Sequence, residues 1–311
     1  MKQLFRNIIR FLFPVVLLLL FLPVNLRLKY EGLENDCFNH GLWIFDRIHH
    51  NPKSVDIAFL GSSRTINGIN DELIEAKLHE EKPDLSVANF GYCRLGRDLP
   101  YVLLKEICEE KSPRYLILEV RENEGRFSHP IFPYISGTAD VMLATPFFNK
   151  DLFANYWTHL VYKLNLTQDL LYKSAPPAPF NLHDFGSATS KDTAAYTTLE
   201  NARLRRAIPK PDLSPLEQNF HLTYPRHYLH KMVRFCKKQE IDIIFLYLPA
   251  YGSPQDQPRE YDTYKEMGAL LLPPEVILKN KQHWLDENHL NQAGAEKLSR
   301  WVAGEIRKII E

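Results

Sequence analysis

The chain has 311 residues, with 38 lysines and arginines against 38 aspartates and glutamates, and an apolar content of 45%. A balanced charge offers neither a basic stripe for a nucleic-acid backbone nor an acidic disordered tail, so no nucleic-acid partner is expected. The composition also excludes a disordered chain, a collagen-like chain and a small disulfide scaffold. The longest apolar run lies at the extreme N-terminus and divides the protein into an anchor and a body.

The N-terminal segment is typical of an export signal or a membrane anchor. Residues 11–26 read FLFPVVLLLLFLPVNL without a charge, and Lys2, Arg6 and Arg10 precede them. A helix of that length covers roughly 24 Å, less than a ~30 Å hydrocarbon core, so the predicted membrane segment is residues 8–26. No small-residue cleavage site follows, which favours an uncleaved anchor over a signal peptide. Pro14 and Pro23 suit a membrane segment better than a buried helix of a soluble protein. The basic N-terminal flank predicts a cytoplasmic N-terminus and an extracytoplasmic body, periplasmic or at the cell surface.

Four short apolar runs predict the buried strands of a mostly parallel sheet. They are Val55–Leu60, Leu85–Phe90, Tyr115–Val120 and Ile241–Leu248. Apolar residues at three- and four-residue spacing predict helices at residues 71–81, 99–111, 222–239 and 292–310. The alternation of strand and helix predicts an α/β fold, a three-layer doubly wound sandwich preceded by one N-terminal transmembrane helix.

The domain organisation follows from where this alternation breaks. Residues 1–27 are the predicted anchor and residues 28–311 the predicted α/β domain. Within that domain, residues 127–224 carry many prolines and aromatic residues and a single predicted helix, Asp151–Tyr172. We therefore predict that residues 127–224 are an insertion that forms a cap or a side wall.

Polar residues follow each predicted strand. These segments are 61–65, 89–96, 121–125 and 249–253. Because ligands of open parallel sheets bind beyond the carboxyl ends of the strands, the four segments are expected to converge on one site. Near the C-terminus, WLDENHLN adds Asp286 and His289. Together they supply a serine, a histidine, a carboxylate and amide donors, which acyl transfer through a serine requires.

At these residues the chain resembles the SGNH (GDSL-like) hydrolase superfamily, in particular its membrane-anchored bacterial members that act on cell-envelope glycans. The resemblance covers roughly residues 53–125 and 222–311. Its first block, an apolar strand followed by Gly-x-Ser, matches IAFLGSSRT, and its last block, Asp-x-x-His, matches Asp286 and His289. The resemblance implies that Ser63 is the nucleophile, His289 the general base and Asp286 the residue that orients the histidine.

The two middle blocks match less closely. The third block, Gly-x-Asn-Asp, is matched at Asn123 only, with Arg121 in the place of its glycine. The glycine of the second block falls near Arg94, so the backbone N–H of Arg94, or that of Gly91 or Gly96, is the expected donor. The resemblance therefore implies an oxyanion hole formed by Asn123, Arg94 and Gly91.

Three further residues are candidates for binding substrate. Arg64 and Arg121 can clamp an anionic glycan, a phosphate or a carboxylate, since a guanidinium donates two parallel hydrogen bonds; the alternative is ion pairs with nearby acids. Tyr251 follows the fourth predicted strand and is the third candidate. The remaining histidines lack a close carboxylate or cysteine cluster, so neither a metal nor a cofactor is expected.

The expected activity is that of a serine esterase or O-acyltransferase that acts on acyl esters of cell-envelope glycans through an acyl-serine intermediate. The expected partners are an acylated glycan or another envelope ester, the membrane through residues 8–26 and, for a transferase, a membrane protein that donates acyl groups. The alternative is an inactive scaffold or binding protein of the cell envelope. It is suggested by Arg94 and Arg121, which stand where the family has glycine. The four cysteines allow disulfides, but no pairing can be assigned.

Overall fold

In the computed structural model, five short strands form one parallel sheet with the order β2-β1-β3-β4-β5. The structure describes residues 1–21, 26–31, 33, 40–144, 149–172, 183–208 and 213–310. The strands are β1 (Ile57–Leu60), β2 (Val87–Asn89), β3 (Tyr115–Val120), β4 (Asp242–Tyr247) and β5 (Ala269–Leu271). This strand order is that of flavodoxin-like doubly wound sheets, so the prediction of an α/β fold is confirmed.

Fourteen α-helices and a short 3-10 helix (Lys281–His283) accompany the sheet within the described residues. In chain order the α-helices are α1 (Lys2–Phe21), α2 (Leu26–Glu31), α3 (His40–His49), α4 (Ser63–Gly68), α5 (Asp71–Leu78), α6 (Asp98–Glu110), α7 (Phe132–Ile135), α8 (Thr138–Met142), α9 (Leu152–Tyr172), α10 (Tyr196–Ala207), α11 (Pro215–Lys238), α12 (Tyr261–Met267), α13 (Glu275–Leu278) and α14 (Gln292–Ile309). The predicted helices are found as α5, α6, α9, α11 and α14. Helix α11 begins seven residues before its predicted start, because Ser214 and Glu217 form a capping box around Pro215 at the first helical position.

The four predicted strands are found at their predicted places, three of them shorter than expected, and β5 is an addition. Apolar runs mark strands that are buried on both faces, as β1 is throughout. By contrast, β5 has only three residues and begins with an exposed alanine, so no local pattern separates it from a turn. It pairs with β4 alone and closes one edge of the sheet.

Helices cover both faces of the sheet around two apolar cores. Side chains alternate along β1, so Ala58 and Leu60 belong to one core and Ile57 and Phe59 to the other. The first core includes apolar residues of α3, α6 and α11, and the second includes those of α5 and α14. Because all five strands run in the same direction, their carboxyl ends meet at a single edge.

The described parts of residues 127–224 pack along the sides of the sandwich. Helices α7 and α8 lie against α9, and α7 also contacts α2. At the other side, residues 183–194 run past α5 and α14: the Asp71 carboxylate accepts the Gly186 N–H at 2.8 Å, and the Gln292 N–H donates to the Ser190 carbonyl at 2.6 Å.

Helix α1 contains Pro14 and exposes the side chains of residues 1–15. Among the helices of the described residues, none has both the length and the apolar character that crossing a bilayer requires. Residues 22–25, which belong to the predicted membrane segment, lie outside the described residues. The membrane anchor stays a prediction.

Candidate active site

Ser63 is the first residue of α4, directly after the end of β1. The chain leaves the strand at Leu60 and turns at Gly61, and Ser62 caps the helix by accepting the Arg64 N–H at 3.0 Å. Capping satisfies one of the N–H groups that a helix start leaves without an acceptor. Among the described residues, the Ser63 N–H donates to no acceptor. The Ser63 hydroxyl and the Ser63 backbone N–H therefore both lie at the carboxyl edge of the sheet.

A buried carboxylate, Glu119 at the end of β3, holds this turn. It accepts the Ser62 N–H at 2.7 Å, the Ser62 hydroxyl at 2.8 Å, the Thr65 hydroxyl at 2.5 Å and the Arg121 Nε–H at 2.5 Å. Burial raises the pKa of a carboxyl group, but the Arg121 charge and the hydrogen bonds outweigh it and lower the pKa of Glu119 to about 2. Glycine is required at position 61, because a Cβ there would lie 2.6 Å from the Glu119 side chain.

Ser63, His289 and Asp286 form a continuous hydrogen-bonded chain. The Ser63 Oγ lies 2.8 Å from His289 Nε2, although the two residues are 226 positions apart. His289 Nδ1 lies 2.8 Å from Asp286 Oδ2. Burial alone raises the pKa of Asp286, yet the hydrogen bonds from the His289 ring and from the Asn288 and His289 N–H groups bring that pKa below its ordinary value. An ionised Asp286 can only accept, so Nδ1 carries the proton and Nε2 is left to accept the Ser63 hydroxyl.

The His289 loop is held at both ends by backbone hydrogen bonds. Trp284 and Leu290 form an isolated antiparallel bridge, and the Leu285 N–H donates to the His289 carbonyl at 2.9 Å. Asn291 then caps α14 by accepting the Gly294 N–H at 3.0 Å. Because the bridge and the cap enclose the loop, the imidazole is presented to Ser63 from a fixed backbone.

The pocket beside Ser63 and His289 has a cationic lining. Its volume is about 580 Å³, and four basic side chains line it, with no acid among the lining residues: Arg64, Arg94, Arg121 and Lys150. Arg64 pairs with Glu122 at 2.7 Å and donates to the Leu248 carbonyl at 2.7 Å, so it holds neighbouring strand ends together. In this structure Arg64 and Arg121 therefore form ion pairs with nearby acids, which was the alternative to clamping an anionic substrate.

Two of the expected oxyanion donors are not brought into this pocket, which corrects the expectation drawn from the resemblance. The Gly91 N–H donates to Asn89 Oδ1 at 3.0 Å, and Gly91 packs against the backbone of α4. Asn123 lines a separate cavity of about 50 Å³. Arg121 is one of four residues that line both cavities, and Glu119 and Ser62 hold its guanidinium at the strand end. Arg121 therefore takes the side of the pocket that was expected to hold Asn123.

Arg94 lines the pocket, as expected, and has an unusual backbone conformation. Its φ of +77° lies in the left-handed region that favours glycine. The backbone conformation at this position is therefore one that glycine adopts more readily than arginine. Buried His129 supports the loop from below, because its Nε2 lies 2.6 Å from the Cys93 carbonyl. Burial lowers the pKa of His129 to about 3, so the ring is neutral.

Tyr251 does not line the Ser63 pocket. It lines a neighbouring cavity of about 400 Å³ between the loop after β4 and helices α10 and α13. The Tyr251 ring packs edge-on against Trp284, and the Tyr251 N–H donates to the Glu287 carbonyl at 3.0 Å. In this structure Tyr251 supports the back of the His289 loop, so its expected contact with substrate at Ser63 is corrected.

The cysteines differ from one another in state. Cys93 is disulfide-bonded, whereas Cys108 and Cys236 are free. Burial raises the pKa of Cys108 to about 11 and that of Cys236 to about 12, so both remain thiols. Cys37 lies outside the described residues.

The sequence reasoning considered Glu119 only as one of the nearby acids that could pair with an arginine, and it missed that this carboxylate holds the turn before Ser63. Its one signal was a glutamate inside the otherwise apolar strand YLILEV, where an unpaired charge would be costly.

No protein-family model matches the chain, and no curated protein is significantly similar to it.

Proposed function

We propose that this protein is a membrane-tethered, extracytoplasmic serine esterase or O-acyltransferase of the SGNH type, with cell-envelope acyl esters of glycans as substrates. The observation that carries the proposal is the hydrogen-bonded chain from Asp286 through His289 to Ser63. Two remote segments of the sequence meet in hydrogen-bonding geometry at the carboxyl edge of a parallel sheet, where such folds bind ligands.

The reaction follows from the proton positions in this chain. His289 Nε2 takes the proton from the Ser63 hydroxyl as Oγ attacks the ester carbonyl carbon, and a tetrahedral oxyanion forms. The bond to the alkoxide leaving group breaks as His289 returns that proton to it, which leaves an acyl-serine. Water or a sugar hydroxyl then gives its proton to His289 and attacks the acyl carbon. The bond between Ser63 Oγ and the acyl carbon breaks as His289 returns the proton to Oγ, and the acid or the acylated sugar leaves. Asp286 stabilises the imidazolium in both steps.

Two donors of the pocket suit the oxyanion. The Ser63 N–H has no acceptor among the described residues. Arg121 donates from Nε to Glu119 and from Nη2 to Ser62, and its Nη1 has no acceptor among the described residues. A donor aimed at developing negative charge lowers a barrier by about 3–4 kcal/mol. Arg121 would thus supply the charge-assisted hydrogen bond that an amide side chain supplies in the resemblance.

The cationic lining favours a substrate that carries negative charge. Glu119 and Glu122 pair with Arg121 and Arg64 from outside the lining. Lys150 is exposed at the pocket. Acidic glycans, with carboxylate or phosphate groups close to the acyl ester, fit this distribution of charge.

Two observations support a body outside the cytoplasm. Disulfides persist in oxidising compartments and are rare in the cytosol, and Cys93 is disulfide-bonded. Helix α1 exposes a series of large apolar side chains, among them Phe5, Phe11 and Phe13, which is the character of an N-terminal membrane anchor.

A fluorophosphonate probe tests the nucleophile in the full-length protein. Ser63→Ala is expected to abolish labelling, since the probe reacts only with an activated serine. Ser253→Ala is the matched control, because Ser253 lines the neighbouring cavity at the same edge of the sheet and should leave labelling unchanged. Undiminished labelling of Ser63→Ala would overturn the assignment.

The second candidate function is an envelope scaffold without chemistry. The observation that favours it is the position of Arg121, together with the absence of Asn123 and Gly91 from the lining of the pocket. A scaffold predicts no labelling of the wild type and no turnover of p-nitrophenyl acetate. Turnover that Ser63→Ala removes eliminates this candidate.

A further inference from the structure

Helix α9 turns an apolar face to the solvent. Phe153 and Trp157 are 83% and 71% exposed, and Val161 and Leu164 continue the same line along the helix. Spacings of four, four and three residues place the four side chains on one stripe. The other exposed positions of the helix that the structure describes are an alanine and an asparagine, so this face carries no charge.

The opposite face of α9 buries polar side chains. Asn155, His159 and Lys163 are all buried, beside apolar residues that join the core. His159 Nδ1 lies 2.8 Å from the Pro133 carbonyl, and Lys163 Nζ donates to Thr138 Oγ1 at 3.0 Å. A surface helix of a soluble protein shows the reverse arrangement, with apolar residues inside and polar residues outside.

Two neighbouring side chains extend the apolar stripe. Met142 and Leu143 are exposed at the end of α8, which packs on α9, and the Tyr156 hydroxyl donates to the Met142 carbonyl at 3.2 Å. We call the six residues the α9 face: Met142, Leu143, Phe153, Trp157, Val161 and Leu164. A contiguous exposed apolar patch marks a surface that another apolar phase covers.

The contact between α9 and α1 indicates which phase this is. Helix α1 packs against α9, and α1 exposes apolar side chains through its first fifteen residues. Any bilayer that receives α1 therefore lies next to helix α9. Phenylalanine and tryptophan are the side chains that favour the boundary between headgroups and acyl chains.

We propose that the α9 face lies in the membrane interface and docks the domain onto the lipid surface. The proposal rests on the membrane tether of the proposed function and is independent of the chemistry at Ser63. The Ser128 N–H donates to Asp151 Oδ2 at 2.9 Å just before α9, and both Ser128 and Lys150 line the Ser63 pocket. Docking through α9 therefore brings the pocket close to the membrane, so that its substrate is a glycan attached to or lying along that surface.

Tryptophan fluorescence of the full-length protein in lipid vesicles tests the docking. The chain has four tryptophans; Trp43 and Trp284 are buried, and Trp301 lies on α14, which packs against α5. Vesicles of phosphatidylcholine with a spin label near the headgroup should quench the wild type. Trp157→Phe, which keeps an aromatic side chain, is expected to lose most of the quenchable fraction, while Trp301→Phe should retain it. Equal quenching of Trp157→Phe and the wild type, or no quenching at all, would overturn the proposal.

Two measurements on the same preparations separate this inference from the proposed function. Carbonate extraction reports the tether, and fluorophosphonate labelling reports Ser63. Protein that resists extraction and is labelled, but shows no quenching through Trp157, refutes only the docking. Extractable protein with quenching through Trp157 refutes the tether and supports the docking. Unquenched protein that cross-links to itself through α9 overturns the docking in favour of a second copy of the chain.

Discussion

Replacing Glu119 with glutamine removes one charge from the centre of the site. In the wild type the carboxylate accepts hydrogen bonds from Ser62, Thr65 and Arg121 and is itself buried. The glutamine keeps the shape but turns one acceptor into a donor. The Ser62 N–H and the Arg121 guanidinium can only donate, so at least one of them then faces a donor, and the buried arginine loses its counter-charge.

Two independent lines give the size of the effect. A pKa of about 2 in the folded protein, against 4.5 for an ordinary glutamate, corresponds to about 3 kcal/mol of stabilisation at neutral pH. Removing one partner of a buried ion pair costs about 3–5 kcal/mol. Glu119→Gln should therefore lower the free energy of unfolding by about 3–4 kcal/mol at pH 7.

The pH dependence gives this prediction a signature. Because the folded-state pKa of Glu119 is depressed, its stabilisation is complete above the unfolded value of 4.5 and is lost as the pH falls through about 2. The difference between the wild type and Glu119→Gln should fall to less than half of its pH 7 value at pH 3. Urea unfolding of both proteins in mild detergent, followed by circular dichroism at the two pH values, measures it.

The control for Glu119→Gln is Glu80→Gln, since Glu80 pairs with Lys77 on the exposed surface. That variant should unfold like the wild type at both pH values. The reasoning is refuted if Glu119→Gln matches the wild type at pH 7, or if it is destabilised by the same amount at pH 3. The same variant should also react more slowly with the fluorophosphonate, because the turn that presents Ser63 has lost its support.

Two further substitutions test the loop that contains Gly96 and the buried carboxyl group of Asp98. Gly96→Ala should lower the free energy of unfolding in urea by about 2–3 kcal/mol and slow the labelling of Ser63. The reason is that Gly96 has a φ of +149° and that a Cβ there would lie 2.2 Å from the backbone nitrogen of His129. An unchanged unfolding midpoint would contradict this. Burial raises the pKa of Asp98 from 3.8 to about 6, so ionising it costs stability as the pH rises between those values. Between pH 4 and pH 7.5 the free energy of unfolding of the wild type should fall by about 2 kcal/mol relative to that of Asp98→Asn. A difference between the two proteins that does not depend on pH would refute the argument.

The strands and the Asp-x-x-His motif could be predicted because their signals are local. An apolar run such as Tyr115–Val120 indicates a strand buried on both faces wherever it occurs, and Asp286 lies one turn from His289 in sequence. The position of residues 61–65 at the carboxyl edge of the sheet was predicted for the same reason, since they directly follow a buried strand. The resemblance assigned the nucleophile to Ser63 within that segment and contributed the order in which the blocks occur.

The floor of the pocket could not be predicted from local patterns. Whether Asn123 or Arg121 borders Ser63 depends on the pairing of Arg121 with Glu119 and Ser62, which come from two different strand ends. The inverted polarity of α9 is likewise invisible in sequence, because its apolar spacing is compatible with either face packing inward. Only the burial of Asn155, His159 and Lys163 assigns the inward face.

The fold class and the strand ends could be predicted from the sequence, because hydrophobic periodicity depends on neighbouring residues, and the resemblance selected the serine, histidine and aspartate. The 2.8 Å contact between Ser63 and His289, the cationic lining of the pocket and the exposed apolar face of α9 depend on how the whole chain packs. These features arise where segments distant in sequence compete for the same buried space and the same hydrogen-bond partners, and that competition is settled only when the whole chain is packed.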